Sequence, residues 1–200
     1  MQKILRGARA FSSLVHKRQE RLYLKLAKGQ RPDALFLTCA DSRIVPSTLT
    51  QTGPGELFII RNAGNLVPCH GMGSSGEAAS LEFAVLGLKI PDIIVCGHTD
   101  CGAIKYLLQS RSPEFPLLSD WVKNAEQILT GVTDETEQEE RLETAYRQNV
   151  LLQMRNLLSY PFVADAVQAG DLRLHGWLYD IRTGEILVAD PVDENFRPIE

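Results

Sequence analysis

Two apolar runs that each end in a polar, sulfur-bearing sequence constrain the fold of this chain most. The runs are ALFLTC (34–39) and DIIVCGH (92–98), followed by ADSR and TDCG respectively. Each run is short, almost wholly apolar and bounded by polar or turn-forming residues, which is typical of a strand buried on both faces. Such strands occur in parallel sheets that are covered by helices on both sides. The sequence therefore predicts an α/β fold.

Periodicity and turn signals predict the remaining elements. In chain order the predicted set is a helix over 1–28, strands over 34–39, 56–62 and 92–98, helices over 74–88, 102–109 and 135–159, and two strands of a hairpin within 171–190. Ser74 or Ser75 is the expected N-cap of the helix over 74–88. We expect one domain, 1–200, with a mostly parallel central sheet flanked by helices. An antiparallel C-terminal hairpin would form its edge, and residues 1–28 would form an N-terminal helical arm.

The role of this arm is the most open question in the sequence. Residues 1–31 carry a balance of +8, so the remaining residues carry −12 of the total charge of −4. A targeting peptide or a membrane-surface helix has a similar basic composition. We favour packing on an acidic partner surface, or simple solvation, because the apolar residues form a helix-spaced stripe that favours burial. The stripe consists of Leu5, Ala8, Phe11, Val15, Leu22 and Leu26.

Composition argues against several classes of protein. The net charge of −4 does not suit nucleic acid binding. No apolar run approaches the ~20 residues of a membrane span, so we expect no membrane partner. The start of the chain lacks the apolar stretch of a secretory signal. Four cysteines in such a chain therefore indicate reduced thiols and a cytoplasmic protein, either free or within a bacterial microcompartment.

Three candidate metal ligands lie at or just beyond the predicted strand ends. Cys39 and His98 end their strands, and Cys101 follows one turn later. Since ligand sites in such sheets collect at the carboxyl ends of the strands, neighbouring strands would bring these side chains together. Two thiolates and an imidazole suit Zn²⁺, and a set of three protein ligands leaves the fourth position open for chemistry. For His98 and Cys101 alone, a buried cysteine beside a capping histidine is the alternative.

Asp41 and Arg43 follow the first candidate ligand at intervals of two residues. The carboxylate of Asp41 would serve either as a fourth metal ligand or as an acceptor for a metal-bound hydroxide. Arg43 would hold that carboxylate ionised and directed through a bidentate pair. A loop ion pair of little energetic value is the alternative. We favour the functional interpretation, because charged residues are costly at the end of a buried strand.

The remaining cysteines and histidines are assigned structural roles. Cys96 lies inside an apolar strand and is expected to be a small buried hydrophobe. Cys69 and His70 share one loop, where a second metal site or a proton relay is a weaker alternative. His16 and His175 have no evident partners and are expected to be packing or surface residues.

Three motifs together resemble those of the β-class carbonic anhydrases. They are CADSR (39–43), RNAGN (61–65) and GHTDCGA (97–103). The resemblance extends over 29–105 and 170–187, which is most of the chain. It implies a zinc enzyme, a lyase, that hydrates carbon dioxide reversibly to bicarbonate and a proton by attack of zinc-bound hydroxide.

The resemblance also implies roles for individual residues. Cys39, His98 and Cys101 would bind one Zn²⁺ per chain, and Asp41 and Arg43 would form the catalytic dyad.

Four further residues would contact the substrate. Gln30 matches a substrate-contacting glutamine, Phe58 would be one wall of an apolar carbon dioxide pocket, and Gly102 would offer a backbone amide. Phe83 stands where plant-type members carry a tyrosine, so one hydroxyl is missing from the pocket. Phe36 replaces the tryptophan of the bicarbonate-inhibited subgroup, so we expect that regulatory site to be absent.

The resemblance implies an oligomer and leaves two rival functions. Members of the family form dimers that exchange their N-terminal helices, so we expect a homodimer or a larger assembly of dimers. One rival is hydrolysis of carbon disulfide or carbonyl sulfide at the same zinc site. The other is a non-catalytic scaffolding protein stabilised by zinc, which would need a closed site with four protein ligands.

Overall fold

A six-stranded mixed sheet organises residues Pro32–Glu200 of the computed structural model. The structure describes residues 1–109, 112–132 and 137–199. The strands are β1 (Ala34–Cys39), β2 (Leu57–Asn62), β3 (Asp92–His98), β4 (Arg173–Tyr179), β5 (Ile186–Ala189) and β6 (Phe196–Pro198). Their order across the sheet is β2-β1-β3-β4-β5-β6.

The pairing of these strands confirms the predicted sheet. Strand β1 pairs in parallel with β2 and β3, and β3 pairs in parallel with β4. Strands β5 and β6 continue the sheet in antiparallel fashion. The chain leaves β1 for β2 on one side and then returns to β3 on the other, so β1 and β3 flank the point where the strand order reverses. That point is where open α/β sheets bind ligands. The sequence prediction missed β6, because a three-residue strand has no apolar periodicity.

Helices cover this sheet and follow the predicted elements in most places. They are α4 (Pro46–Thr50), α5 (Gly76–Glu82), α6 (Gly102–Leu108), α7 (Pro116–Val122), α8 (Gln138–Leu158) and α9 (Pro161–Gln168), numbered after the arm helices α1 to α3 described below. The predicted helix over 74–88 is α5 followed by a π-helical turn, Phe83–Gly87. Ser75 is its N-cap, since the hydroxyl of Ser75 accepts a hydrogen bond from the amide of Ala78.

The prediction of a helix over 135–159 corresponds to α8, although positions 135 and 136 lie outside the described residues. Helices α4 and α9 were not predicted, and α7 lies in the middle of the chain, which was predicted to be helical without bounds for this helix. Each begins with a proline at its first position, Pro46, Pro116 or Pro161, where the missing N–H costs nothing. This start signal was therefore present in the sequence.

The two faces of the sheet bury separate apolar clusters. Leu35 and Leu37 of β1 point into the larger cluster, which includes Ile93 and Val95 of β3. Phe36 lies between the two leucines in sequence and belongs to a cluster with Ile94 and Cys96. A third cluster joins the metal-ligand region to α6, α7 and α8. Strands buried on both faces explain why β1 and β3 read as continuous apolar runs.

Helix α8 approaches the sheet closely because two strand residues lack side chains. A Cβ added to Gly97 would lie 2.6 Å from Cγ2 of Val150, and one added to Gly176 would lie 2.5 Å from Sδ of Met154. Any larger residue at these two strand positions would push the helix away from β3 and β4. The position of α8 is thus fixed by the sheet directly beneath it.

The N-terminal unit, Met1–Arg31, is helical as predicted. It contains α1 (Gln2–Ala10), a π-helical segment (Phe11–Val15), α2 (His16–Arg18) and α3 (Glu20–Leu26), with a break at Gln19. The ring of His16 stacks on that of Tyr23 at 4.6 Å, and this contact is the packing role expected of His16. None of the residues in this unit is buried, and its exposed apolar side chains include Ile4, Leu5, Phe11, Leu14, Val15, Leu22 and Leu24.

In the described parts of both units, no helix has the length and apolar character required to cross a bilayer.

Candidate metal centre

Cys39, His98 and Cys101 come together at the carboxyl edge of the sheet. Cys39 ends β1 and His98 ends the neighbouring β3, while Cys101 is the N-cap residue of α6. Their ligand atoms all lie within 4.8 Å of one another, and all three residues are buried. Across residues 1–109, 112–132 and 137–199, this is the one group of histidine, cysteine and acidic side chains with such spacing.

The histidine of this group presents one free nitrogen. Nδ1 of His98 lies 2.8 Å from the carbonyl oxygen of Thr99, so we assign the proton to Nδ1, which donates this hydrogen bond. Nε2 then carries a lone pair, and it is buried without a hydrogen-bond partner. A buried polar atom without a partner is costly. A cation at Nε2 would offset this cost, and a backbone carbonyl on the other nitrogen is the usual arrangement of a metal-binding histidine.

The two sulfur atoms also fit a zinc ion. Tetrahedral zinc with Zn–S bonds of ~2.3 Å places two thiolate ligands about 3.8 Å apart. The sulfurs of Cys39 and Cys101 are 3.9 Å apart. This separation is far longer than the ~2.05 Å bond of a disulfide, and all four cysteines are free. The donor set therefore fits Zn²⁺ in both chemistry and spacing.

The thiols of Cys39 and Cys101 are coupled through one proton. The hydrogen bond with Cys101 lowers the pKa of Cys39 by more than burial raises it. The same hydrogen bond, together with burial, raises the pKa of Cys101. By itself the pair thus favours a single negative charge. A bound dication favours loss of the second proton as well, because thiolates are the metal-binding form.

Asp41 and Arg43 form a two-point ion pair beside this group. Nε of Arg43 donates to Oδ1 of Asp41 at 3.0 Å, and Nη2 donates to Oδ2 at 2.7 Å. The backbone amide of Arg43 donates to Oδ1 as well, at 2.9 Å. These hydrogen bonds hold the pKa of Asp41 well below its usual range. Asp41 is therefore a fixed carboxylate at any physiological pH.

A second acid holds Arg43 from its other side. Nη1 of Arg43 donates to Oδ2 of Asp100 at 2.7 Å, and Lys105 pairs with the other oxygen of that carboxylate. The hydrogen bonds from Arg43 and Lys105 lower the pKa of Asp100 to about 2. Asp100 was not among the residues predicted from the sequence. Its position one residue before Cys101 was the available signal.

Arg61 fixes the backbone between the first ligand and the acid. Its Nε donates to the carbonyl oxygen of Cys39 at 3.1 Å, and its Nη2 donates to that of Asp41 at 2.7 Å. Arg61 belongs to the RNAGN motif, but no structural role was predicted for it. The structure shows that it ties β2 to the turn that carries the dyad.

A cleft of about 470 Å³ lies beside the dyad. Its lining includes Arg43, Asp100, Tyr146 and Asp180. Burial raises the pKa of Tyr146 to about 12, so its phenol stays protonated and able to donate a hydrogen bond. The cleft gives the dyad a polar, solvent-accessible side.

Of the predicted substrate residues, Gly102 adjoins this centre, whereas Phe58 and Phe83 lie away from it within one chain. Gly102 is the first residue of α6, directly after Cys101, and no atom would obstruct a Cβ there. The rings of Phe58 and Phe83 are 6.2 Å apart. Phe58 lies level with Leu35 in the sheet, however, four residues before the end of β1. Gln30 belongs to the N-terminal unit and is exposed.

The other cysteines lie outside the metal group. Cys96 is fully buried with Phe36 on one face of the sheet, and burial raises the pKa of its thiol to about 12. This is the small buried residue that the sequence predicted. Cys69 donates to Oδ1 of Asn156 at 3.1 Å, and the ring of His70 packs edge-on against Tyr160. The weaker alternative of a second metal site there has no support among the described residues.

His175 differs from its prediction as a residue without a partner. Its Nε2 lies 2.7 Å from Oδ1 of Asp92, which also pairs with Arg173. Asp92 is 83 residues away in sequence, and only the parallel pairing of β3 with β4 brings the two together.

Comparison with known proteins places this arrangement in a family. Residues 34–186 match the carbonic anhydrase family model. A carbonic anhydrase of Synechocystis is 41% identical over 201 residues, which cover 98% of this chain and 73% of that protein. The solved structure of the β-carbonic anhydrase CcaA superposes with a TM-score of 0.95 at 41% identity, covering 100% of this chain and 99% of that one. The chain belongs to the β-class carbonic anhydrases, a family of lyases.

Further relatives agree with this assignment to the β-class carbonic anhydrases. A carbonic anhydrase of Pseudomonas aeruginosa is 41% identical over 199 residues, covering 98% of this chain and 90% of that protein. One of two tetrameric β-carbonic anhydrases from Sordaria macrospora superposes with a TM-score of 0.84 at 27% identity, covering 94% and 95% of the two chains. The match includes the N-terminal region as well as the sheet, since the coverage approaches the whole chain.

Proposed function

We propose that this chain catalyses the reversible hydration of carbon dioxide to bicarbonate, with one Zn²⁺ held by Cys39, His98 and Cys101. The observation that carries the proposal is the unpartnered Nε2 of His98, which faces two buried sulfurs 3.9 Å apart. Family membership supports the reaction, and the donor set supports the metal. Bound Zn²⁺ would supply the Lewis acidity that makes water a nucleophile near neutral pH.

The number of ligands supports catalysis over a scaffolding role. The described residues offer three donors in this group, so tetrahedral zinc would keep one position for water or substrate. The carboxylate of Asp41 lies outside this group of donors, and Arg43 holds both of its oxygens. A structural zinc site would instead be closed by a fourth protein ligand.

Asp41 is suited to orient a hydrogen-bond donor at the open position. Oδ1 of Asp41 already accepts two hydrogen bonds, from the amide and from Nε of Arg43, whereas Oδ2 accepts one. A carboxylate oxygen has two lone pairs, so Oδ2 is the atom that would accept a further proton donor. Arg43 keeps that oxygen ionised and in place. We infer that Oδ2 of Asp41 holds the attacking water in the orientation that its reaction with carbon dioxide requires.

We propose that substrate contacts are completed in a homodimer or a larger assembly of dimers. Gly102 lies beside its own Cys101, whereas Phe58 lies farther down the sheet from the metal group of its own chain, with the ring of Phe83 beside it. Phe83 is 51% exposed and Ile59 of the edge strand β2 is 44% exposed, which suits an interface. Gln30, Phe58 and Phe83 would then serve a partner's site, and the arms would be exchanged. The four free thiols support the prediction of a cytoplasmic location, because a reducing compartment preserves them.

One experiment on purified protein tests the metal, the reaction and the assembly together. We expect about one zinc per chain by elemental analysis, rapid carbon dioxide hydration by stopped-flow, and a mass by light scattering of at least twice 22.3 kDa. Cys101→Ala should lose both zinc and hydration, because two ligands hold zinc poorly.

Cys69→Ser is the matched control, since this cysteine lies outside the metal group, and it should keep both properties. Full zinc retention by Cys101→Ala would contradict the ligand assignment, and a zinc-loaded wild type without hydration would contradict the reaction. A mass of one chain would contradict the assembly.

A further inference from the structure

Helix α8 carries three buried side-chain amides on the face that packs against the core. Asn149, Gln153 and Asn156 are 1%, 0% and 4% exposed. Their spacing of four and three residues places them on one side of the helix. Burying amides is costly unless each finds partners, so their contacts show what they hold in place.

These amides bind the loop that follows β2. Nδ2 of Asn149 donates to the carbonyl oxygen of Gly64 at 3.0 Å. Oε1 of Gln153 accepts from the amide of Val67 at 2.7 Å, and Nε2 of Gln153 donates to Oδ1 of Asn149 at 2.9 Å. Asn156 donates to the carbonyl oxygen of Val67 at 2.8 Å. The loop is thus fastened at two points, and only Asn149 reaches Gly64.

Gly64 connects this loop to the candidate metal centre. Its amide donates to the sulfur of Cys39 at 3.4 Å. The carbonyl oxygen of Ala63, in the same peptide unit, accepts a hydrogen bond from Nε1 of Trp121 at 2.7 Å. Because a peptide unit is planar, its N–H and C=O point in opposite directions. Trp121 therefore holds the far side of the peptide whose N–H meets the sulfur.

If the peptide between Ala63 and Gly64 rotates, the backbone has little freedom to restore the hydrogen bond from the Gly64 amide to the sulfur of Cys39. Gly64 has φ of +81°, and a Cβ there would lie 3.1 Å from Cβ of Ala103 in α6. Asn149 holds the carbonyl on one side of its Cα, and Trp121 holds the peptide on the other side. Two side chains from separate helices thus define the direction of one N–H.

We propose that Trp121 and Asn149 are positioning residues of the metal centre, which aim the N–H of Gly64 at the sulfur of Cys39. The proposal rests on the zinc site proposed above. A hydrogen bond to a thiolate stabilises the sulfur lone pair and fixes the direction of its bond to the metal. Outer partners of metal ligands typically change metal affinity by about 10- to 100-fold when they are removed. The hydrogen bonds of both side chains go to the backbone at Ala63 and Gly64, so we expect their effect to pass through Gly64.

The test uses the full-length protein loaded with zinc or with Co²⁺, whose absorption reports thiolate bonding directly. Trp121→Phe removes the N–H donor and keeps an aromatic ring, and Asn149→Leu removes the amide at similar volume. We expect both variants to lose zinc to excess chelator about tenfold faster than the wild type. We also expect their thiolate-to-cobalt bands to move to longer wavelength, since a sulfur without this hydrogen bond gives up charge more readily.

Asn156→Leu is the matched control. It removes a buried amide from the same helix face, but its partners are Val67, Cys69 and Gln153 rather than Gly64. It should lower the unfolding midpoint in denaturant and leave both metal readouts at wild-type values. If Trp121→Phe and Asn149→Leu only match this control, the positioning role is wrong and the zinc site stands. If the wild type binds neither metal, the zinc site itself is wrong and the positioning role falls with it.

Discussion

Two Asp–Arg pairs of nearly the same geometry lie at the two ends of the strands of one sheet, here called the carboxyl edge and the amino edge. At the carboxyl edge, Nε and Nη2 of Arg43 donate to the two oxygens of Asp41 at 3.0 and 2.7 Å. At the amino edge, the same atoms of Arg173 donate to Asp92 at 2.8 and 2.7 Å. The acids are also similarly shielded, with side chains 17% and 20% exposed.

The surroundings of the two pairs differ. Asp41 follows a metal-ligand candidate by two residues, and its backbone is fixed by Arg61. Asp92 and Arg173 begin the adjacent strands β3 and β4, and their third member is His175. Geometry alone therefore does not separate the pair that we propose to be catalytic from the other one. We base that proposal on its position at the carboxyl edge, where the strand order reverses.

The largest expected difference comes from removing each arginine in turn. Arg43→Ala should lower carbon dioxide hydration by about 100-fold with zinc retained, because Asp41 loses its orientation and can compete for the open metal position. Arg173→Ala should leave hydration unchanged. The measurement is kcat/KM by stopped-flow, with zinc content determined on the same samples. Equal losses in the two variants, or near-normal hydration by Arg43→Ala, would remove the distinction between the pairs.

A smaller effect is expected from the acid behind Arg43. Asp100→Asn removes one of the two charges that hold the guanidinium, and the side chains of this ion pair are 43% and 50% exposed. Exposed ion pairs contribute about 0.2–1 kcal/mol, so hydration should fall roughly 1.4- to fivefold with unchanged zinc.

The matched control for Asp100→Asn is Asp193→Asn. Arg197 is likewise shared between two acids, Asp190 and Asp193, but these lie in the turn between β5 and β6. This variant should leave kcat/KM at the wild-type value. A larger loss from Asp193→Asn than from Asp100→Asn would show that these effects arise from general stability.

The sequence predicts the place of the Asp41–Arg43 pair but does not predict the Asp92–Arg173 pair, and the reason is physical. Continuous apolar runs mark β1 and β3, and the rule that ligand sites collect at the carboxyl ends of parallel strands locates Cys39, Asp41 and His98 without any knowledge of register. Asp92 and Arg173 lie 81 residues apart, and their contact depends on the register of β3 with β4. No local pattern encodes that register.

The same limit applies to residues that act through loops. No role was predicted for Asn149, which the structure buries in α8 against Gly64. The two residues are 85 positions apart in sequence, so no local pattern predicts their contact. Phe58 was assigned to the substrate pocket by resemblance. The single chain places it level with Leu35, away from the metal group, and for this reason we propose its substrate role only in an assembly with a second copy.

The smallest expected effect concerns the stability that the amino-edge pair provides. Hydrogen bonds from Arg173 and then from His175 lower the pKa of Asp92 below its unfolded value of about 3.9. A lowered pKa in the folded state stabilises the fold above the unfolded pKa, and that contribution is lost as the pH falls through the folded pKa. Asp92→Asn should therefore lower the free energy of unfolding by about 1 kcal/mol at pH 7 and by nearly as much at pH 5. The difference should shrink below about pH 4.

Urea unfolding of the wild type and Asp92→Asn at pH 7, 5 and 3.5, with zinc removed from both, measures this difference without interference from metal release. Hydration by the zinc-loaded variant should stay at the wild-type rate, because the pair lies at the opposite edge of the sheet from the metal group. A stability difference that grows as the pH falls would reverse the sign derived from the pKa of Asp92. A loss of hydration would mean that the amino-edge pair also supports the metal centre, and position at the carboxyl edge would then no longer distinguish the two pairs.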